Sequence, residues 1–201
     1  MSGPKSELRK TLLRKRKAVP PAQRDSLSRR IARTVNALPE FKSGARVAVY
    51  LPFGSEVDTA HVMRFAKWRR IRLFVPLVVG IRRRKMLFVP LERGIKPGTE
   101  RTIGHRHAAR HVSARWFNLI LLPVVGIDAA GHRLGMGAGF YDRSLAFRRQ
   151  RARWRGPRLV ALAFDCQRVD SVHPQSWDAR LDAVISESGL SEFNAAGFHT
   201  R

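Results

Sequence analysis

Short apolar runs alternate with helical stretches along this chain, and that alternation confines it to an α/β fold. Six runs read as strands: Arg46–Leu51, Ile71–Val75, Lys85–Val89, Asn118–Leu122, Arg158–Phe164 and Leu181–Ser186. A helical stretch from Thr59 to Arg70, with Val62, Phe65 and Ala66 on one side, separates the first two. Strand, helix and strand in that order predict a right-handed βαβ unit. The link from Val79 to Lys85 is too short for a crossover, so the second and third strands should form an antiparallel hairpin. Ahead of the strands, Lys5–Arg16 carries Leu8, Leu12 and Leu13 as a narrow apolar stripe among basic residues. A second helix is expected between the Pro20-Pro21 pair and Pro39, where Leu27, Ile31, Val35 and Leu38 recur at helical spacing. Tyr141–Arg153, without proline or glycine, should be another. The expected product is a single domain over residues 1–201, a three-layer α/β/α fold around a mixed, mostly parallel sheet. Residues 92–115, basic and poor in large apolar groups, read as a surface loop, and residues 189–201 as a loose tail.

Composition narrows the class. A chain of 201 residues buries a sizeable core without staples, and its single cysteine, Cys166, excludes an intramolecular disulfide or a Cys-based metal cluster. Cys166 has no histidine paired with it in sequence and reads as an inert thiol. No apolar run approaches the ~20 residues that span a bilayer, so the expectation is a soluble, unsecreted protein with no membrane partner. The charge is extreme: 39 basic against 15 acidic residues, a net +24. Arginines scattered this widely fit a compositional bias of the source genome, non-specific electrostatic binding to nucleic acid, or steering of a small polyanion.

Three alternate glycines stand inside an arginine-flanked loop, Arg133-Leu134-Gly135-Met136-Gly137-Ala138-Gly139-Phe140-Tyr141-Asp142-Arg143. Glycine admits φ > 0 and lets backbone N–H groups converge on an anion, so the loop reads either as a phosphate cradle or as a glycine-rich turn. It matches neither G-x-x-x-x-G-K-[ST] nor G-x-G-x-x-G. Its two arginines supply phosphate donors, and Asp142 a ligand for a hard cation.

Taken in order, Lys5-x-x-x-Arg9, Tyr50-Leu51-Pro52 leading to Glu56-Val57-Asp58, Leu122-Pro123-Val124-Val125-Gly126-Ile127-Asp128, the glycine loop, and Trp177-Asp178-Ala179-Arg180-Leu181-Asp182 resemble the 5-formyltetrahydrofolate cyclo-ligase family over nearly the whole chain. The resemblance implies an ATP- and Mg²⁺-dependent ligase, expected to be a cytoplasmic monomer, that converts 5-formyltetrahydrofolate into 5,10-methenyltetrahydrofolate. It assigns Lys5, Ser6, Glu7, Leu8 and Arg9, and Arg133, Leu134, Gly135, Met136, Gly137, Ala138, Gly139, Phe140 and Tyr141, to ATP. Lys5, Arg133, Tyr141 and Arg143 become catalytic, Leu51 and Glu56 folate contacts, and Asp142 and Asp178 the Mg²⁺ ligands. Read from the residues alone, Lys5 and Arg9 equally suit a solvated helix face, Glu56 a loop or cap acid, and Asp182 competes with Asp178. The family's aromatic-Gly-Ile and Glu-Pro segment is replaced by Arg101–His107, which keeps open a homologue with another acceptor. His105, His107 and His111 lack a neighbouring carboxylate and sit among arginines, which argues against a metal there.

Overall fold

The computed structural model describes residues 3–80, 85–91, 110–150, 156–175, 177–194 and 197–200. Its strands are β1 (Arg46–Ala48), β2 (Arg72–Gly80), β3 (Lys85–Pro90), β4 (Leu119–Pro123), β5 (Gly126–Asp128), β6 (Arg133–Leu134), β7 (Arg158–Leu162), β8 (Arg168–Val169), β9 (Ala183–Ser186), β10 (Gly189–Asn194) and β11 (Gly197–Thr200). Eight of them form one sheet in the order β11-β10-β9-β7-β4-β1-β2-β3. From β9 through β2 the pairings are all parallel. The β2–β3 hairpin closes one side and the β9–β10–β11 meander the other, both antiparallel.

Burial on both faces explains why the parallel strands read as unbroken apolar runs. Along β4, Leu119 and Leu121 point into one core and Ile120 and Leu122 into the other, and β7 repeats the alternation with Val160 and Leu162 against Leu159 and Ala161. On the first face lie α2 (Pro21–Asn36), which starts on a proline where its missing N–H costs nothing, and α3 (Ala60–Trp68). Ile31, Ala32 and Val35 of α2 and Val62 and Ala66 of α3 are buried there. The opposite face is covered by 3₁₀ turns and the short α4 (Phe140–Ser144), whose Phe140 and Tyr141 pack onto it. Helices on both faces and a mixed sheet give the α/β/α class that the alternation of runs predicts.

The first helix, α1 (Pro4–Ala18), packs elsewhere. β6, β5 and β8 form a second, three-stranded sheet, and Leu12 of α1 is buried against Val125, Leu134 and Val172, with Leu8 and Leu13 at the edge. Fully burying a leucine contributes about 1.5–3 kcal/mol. Gly126 makes the close approach possible: a Cβ there would stand 2.5 Å from Leu12 Cδ1.

Two expectations are corrected. Residues 189–194 and 197–200 are not loose but form β10 and β11, with Phe193 buried. Within the helix expected over Tyr141–Arg153, the described residues form an α-helix at Phe140–Ser144 and a 3₁₀ turn at Ala146–Gln150, and residues 151–153 lie outside the described residues. The reason is local: Leu145 leaves the helical basin at φ −102°, ψ 4° to bury its side chain completely. Of the stretch expected to be a loop, residues 92–109 lie outside the described residues. Val112 bridges to Phe88 of β3, and Ala114–Trp116 form a 3₁₀ turn.

Candidate active site

A cleft of about 600 Å³ opens beyond the carboxyl ends of β1 and β4, where ligands sit in open α/β sheets. Tyr50 and Leu51 enter it from the end of β1, and Pro123, Val124 and Val125 from the end of β4. The β2–β3 hairpin adds Pro76, Val78 and Met86, an apolar wall. Over the other side lie the glycine loop, the segment with Gln175, Trp177 and Asp178, and Lys5 and Arg9 of α1.

Lys5 and Arg9 share one face of α1, as residues four apart must. The Lys5 Nζ donates to Asp178 Oδ2 at 3.2 Å, and Arg9 Nε donates to the Gly135 carbonyl at 2.9 Å. Helix and loop are thereby locked together across 126 residues of chain. Further along α1, Arg16 is buried at 5% exposure. Its Nε donates to Ser55 Oγ at 3.1 Å, its Nη1 to the Val124 carbonyl at 3.3 Å, and Nη1 stands 3.7 Å from Glu56 Oε1.

The loop's geometry separates its three glycines. Gly137 (φ +92°) and Gly139 (φ +69°) occupy the left-handed region, and Gly139 caps α4. Gly135 does not require it, and a Cβ there would meet nothing within 4 Å. Arg133, a buried residue of β6, clamps the loop's two ends: it donates to the Ala179 carbonyl at 2.7 Å and forms an ion pair with Asp142 Oδ1. Tyr141 has its phenol pKa raised by burial first and by the Glu56 carboxylate second. Tyr50, whose hydroxyl donates to the Val57 carbonyl at 3.0 Å, is shifted upward for the same two reasons. Both are therefore neutral hydrogen-bonding phenols rather than bases at neutral pH.

Of the expected site residues, Lys5, Arg9, Leu51, Glu56, Arg133, Leu134, Gly135, Met136, Gly137, Ala138, Gly139, Phe140, Tyr141, Asp142 and Asp178 all line this cleft. Ser6, Glu7, Leu8 and Arg143 are not among the lining residues. Glu7 pairs with Lys10, Leu8 packs beside Leu12, and Arg143 is exposed on α4. The choice between Asp178 and Asp182 is geometric: Asp178 faces the cleft, whereas Asp182 accepts from Arg148 and from the Leu159 amide behind it. Phe53 is 76% exposed beside the cleft rather than in its lining. His105, His107 and the 101–107 segment lie outside the described residues.

Two carboxylates on one cleft, Asp142 and Asp178, fit the way Mg²⁺ is usually held, by one or two carboxylates plus substrate phosphates. Each is paired with a cation, Arg133 and Lys5 respectively, so a metal would share them. Among the described residues no three His, Cys, Asp or Glu cluster into an all-protein metal cage. No helix of the described residues is long and apolar enough to cross a membrane.

Sequence reasoning missed the apolar hairpin wall, Trp177, Gln175 and Arg16. The hairpin residues look like ordinary strand positions until the sheet shows which end they occupy. Arg16 had a readable signal: it stands seven residues after Arg9, two helical turns along the same face.

Comparison with known proteins bears on the family and the fold. The profile of the 5-formyltetrahydrofolate cyclo-ligase family matches residues 1–187. The 5-formyltetrahydrofolate cyclo-ligase of Escherichia coli K12 is 29% identical over 183 residues, covering 89% of this chain and 98% of that protein. Two solved structures are alike over most of their length. The 5,10-methenyltetrahydrofolate synthetase of Mycoplasma pneumoniae superposes with a TM-score of 0.72 at 26% identity, covering 92% of this chain and 99% of its own. The Aquifex aeolicus 5,10-methenyltetrahydrofolate synthetase gives 0.74 at 26% identity, covering 98% and 94%. With the family profile matching residues 1–187, from α1 through β9, this chain belongs to the 5-formyltetrahydrofolate cyclo-ligase family.

Proposed function

We propose that the protein converts 5-formyltetrahydrofolate and ATP into 5,10-methenyltetrahydrofolate, ADP and phosphate. The observation that carries this reading is that one cleft is two-sided: a basic, glycine-rich side with Lys5, Arg9 and the 135–139 backbone, and an apolar side with Leu51, Pro76, Val78 and Met86 beside the carboxylate of Glu56. The first suits a triphosphate, the second a reduced pterin whose N–H groups can donate to a carboxylate.

The chemistry explains why the two sides adjoin. A formyl group on N5 is amide-like, and its carbon resists attack until the oxygen becomes a leaving group. The formyl oxygen bonds to the γ-phosphorus as the bond to the β-phosphate bridging oxygen breaks, and ADP departs. The N10 lone pair then closes on the formyl carbon, phosphate leaves with the C–O electron pair, and the N10 proton is lost. Phosphoryl transfer depends on positioning and charge neutralisation more than on a covalent nucleophile. Lys5 and Arg9 would neutralise phosphate oxygens, the glycine loop would present its N–H groups, and the neutral Tyr141 phenol would donate to the transferring group. Mg²⁺, held by Asp142 and Asp178 together with the phosphates, would supply further charge neutralisation.

The test is direct. Purified protein mixed with 5-formyltetrahydrofolate and MgATP should generate methenyl-folate absorbance with ADP in equal amount; ADP formation without that absorbance would sink the folate assignment. Asp142→Asn should lower kcat on the order of 10²- to 10³-fold, the several kcal/mol a metal supplies to phosphoryl transfer. Unchanged turnover in that variant would remove Asp142 from metal binding.

A further inference from the structure

We infer that Arg16 is the positioning residue of the folate side of the cleft: from the buried face of α1 it fixes Glu56 and the 53–57 turn, while the same face of the helix reaches the glycine loop through Arg9. The inference rests on the folate reading of Glu56 given above.

The geometry begins with helical period. At 100° per residue, Lys5, Arg9, Leu12 and Arg16 fall within about 60° of arc, and Lys5 to Arg16 spans about 16 Å along the axis. One rigid face thus carries a cleft cation at each of Lys5 and Arg9, a buried anchor at Leu12, and Arg16 beyond it. Arg16 does not line the cleft, but everything it holds leads there. Its guanidinium binds Ser55 Oγ and the Val124 carbonyl and lies 3.7 Å from Glu56 Oε1. The other carboxylate oxygen of Glu56 accepts from the Phe53 amide at 3.0 Å, and the Glu56 amide donates back to the Phe53 carbonyl at 3.3 Å. The turn is pinned from the far side by Tyr50, which donates to the Val57 carbonyl. Glu56 is therefore aimed by a turn that Arg16 and Tyr50 hold from outside, and of these two Arg16 carries the charge.

Stability alone is a weak reason for such a pair. The side chains of Arg16 and Glu56 keep only 6% and 12% of their exposure, and dehydrating two charges offsets much of the attraction between them. Leu12, fully buried four residues earlier, already docks the helix. What the pair adds is direction: a planar guanidinium forks between a hydroxyl, a carbonyl and a carboxylate, a geometry that a lysine point charge does not reproduce.

Steady-state kinetics on wild type, Arg16→Met, Arg16→Lys, Glu56→Gln and the Arg16→Met/Glu56→Gln double variant test this, with ATP affinity measured by calorimetry and folding by thermal unfolding. Arg16→Met should lower kcat/KM for 5-formyltetrahydrofolate on the order of 10- to 100-fold, the scale of misplacing a binding group by about 1 Å. ATP affinity should stay at the wild-type level. Arg16→Lys should recover part of the loss. In the Glu56→Gln background, Arg16→Met should cost almost nothing more, because its effect passes through the carboxylate. Independent, multiplying losses in the double variant would overturn the proposal, as would parallel loss of ATP affinity or wild-type folate kinetics in Arg16→Met. Unfolding of both Arg16→Met variants, with full folate kcat/KM in Arg16→Lys, would assign Arg16 to folding and likewise overturn it. A wild-type protein that cannot cyclise 5-formyltetrahydrofolate at all would instead bring down the functional reading, and this inference with it.

Discussion

Gly135, Gly137 and Gly139 are equivalent in the sequence, where the loop reads equally as a turn or as a cradle, and the folded backbone divides them. Gly137 and Gly139 hold φ values of +92° and +69° that side chains rarely adopt, so they are required by the turn. Gly135 is outside that region and has open space where a Cβ would point, so nothing in the protein requires it to be glycine. Alanine substitution separates the two reasons. Gly137→Ala brings no clash, since its Cβ would lie 3.6 Å from Arg9 Nη2; strain of about 1–3 kcal/mol decides the outcome, and the thermal midpoint should fall. Gly135→Ala should leave that midpoint unchanged while weakening ATP binding measured by calorimetry, if the open space is where phosphate approaches as proposed. Unaltered ATP affinity in a folded Gly135→Ala protein would return the loop to a mere turn. The lining of the cleft was legible in the sequence wherever a residue type is rare for its setting, as with these glycines and Asp142. It was illegible where ordinary residues acquire meaning from placement. Pro76 and Met86 become a wall only because the hairpin leans over the cleft, and Arg143, chemically as suitable as Arg133, is carried to the exposed side of α4.

Among elements, the central strands were readable because parallel strands buried on both faces leave long apolar runs. β5, β6 and β8 were not, since two or three residues cannot display a period. Those short strands matter here because they seat α1, and the seat is tight at Gly126 under Leu12. Gly126→Ala should cost about 1–3 kcal/mol by overpacking, and a helix pushed outward should lose both the Arg9–Gly135 and the Arg16–Val124 bonds. Leu12→Ala alone should cost about 2–5 kcal/mol by leaving a cavity. Together the two changes are complementary, methyl added and methyls removed, so denaturant unfolding of the double variant should show a smaller loss than the sum of the singles. Strict additivity would mean that α1 does not rest on Gly126. A second joint lies between α2 and α3. Asp25 bonds His61 Nε2 at 2.8 Å and Arg29 at 2.9 Å, and its pKa is lowered, chiefly by the hydrogen bond from His61. A depressed carboxylate stabilises the fold above its unfolded pKa of about 3.9 and loses that contribution as pH falls through the folded value. The gap in thermal midpoint between wild type and Asp25→Asn should accordingly be present at neutral pH and close below about pH 4. A gap that persists unchanged into acid would show that the pair contributes through packing alone.

Across the whole molecule the governing quantity is the net charge of +24. Acidic residues are too few to offset it, and many are already committed. Glu40 and Glu192 both pair with Arg158, Asp182 with Arg148, Asp165 with Arg168, and Asp178 and Asp142 with Lys5 and Arg133. Two opposite salt effects follow. If local ion pairs dominate stability, salt weakens them and the thermal midpoint falls; if surplus arginine repels itself, salt relieves the repulsion and the midpoint rises. Magnitudes favour the second. Exposed ion pairs are worth only about 0–1 kcal/mol each, and the closest pairs here are partly shielded from solvent, where salt screens them least. The surplus positive charge acts over longer distances. Between 0.01 M and 0.15 M salt the screening length contracts from about 30 Å to about 8 Å, from roughly the width of such a molecule to a fraction of it. The thermal midpoint should therefore climb with sodium chloride over that range. Over the same range kcat/KM for ATP should fall, because screening removes the long-range attraction that brings a polyanion to a basic cleft. A midpoint that falls with salt would mean that local pairs outweigh the excess charge. A kcat/KM for ATP that does not respond to salt would mean that the arginines outside the cleft play no part in capturing the nucleotide.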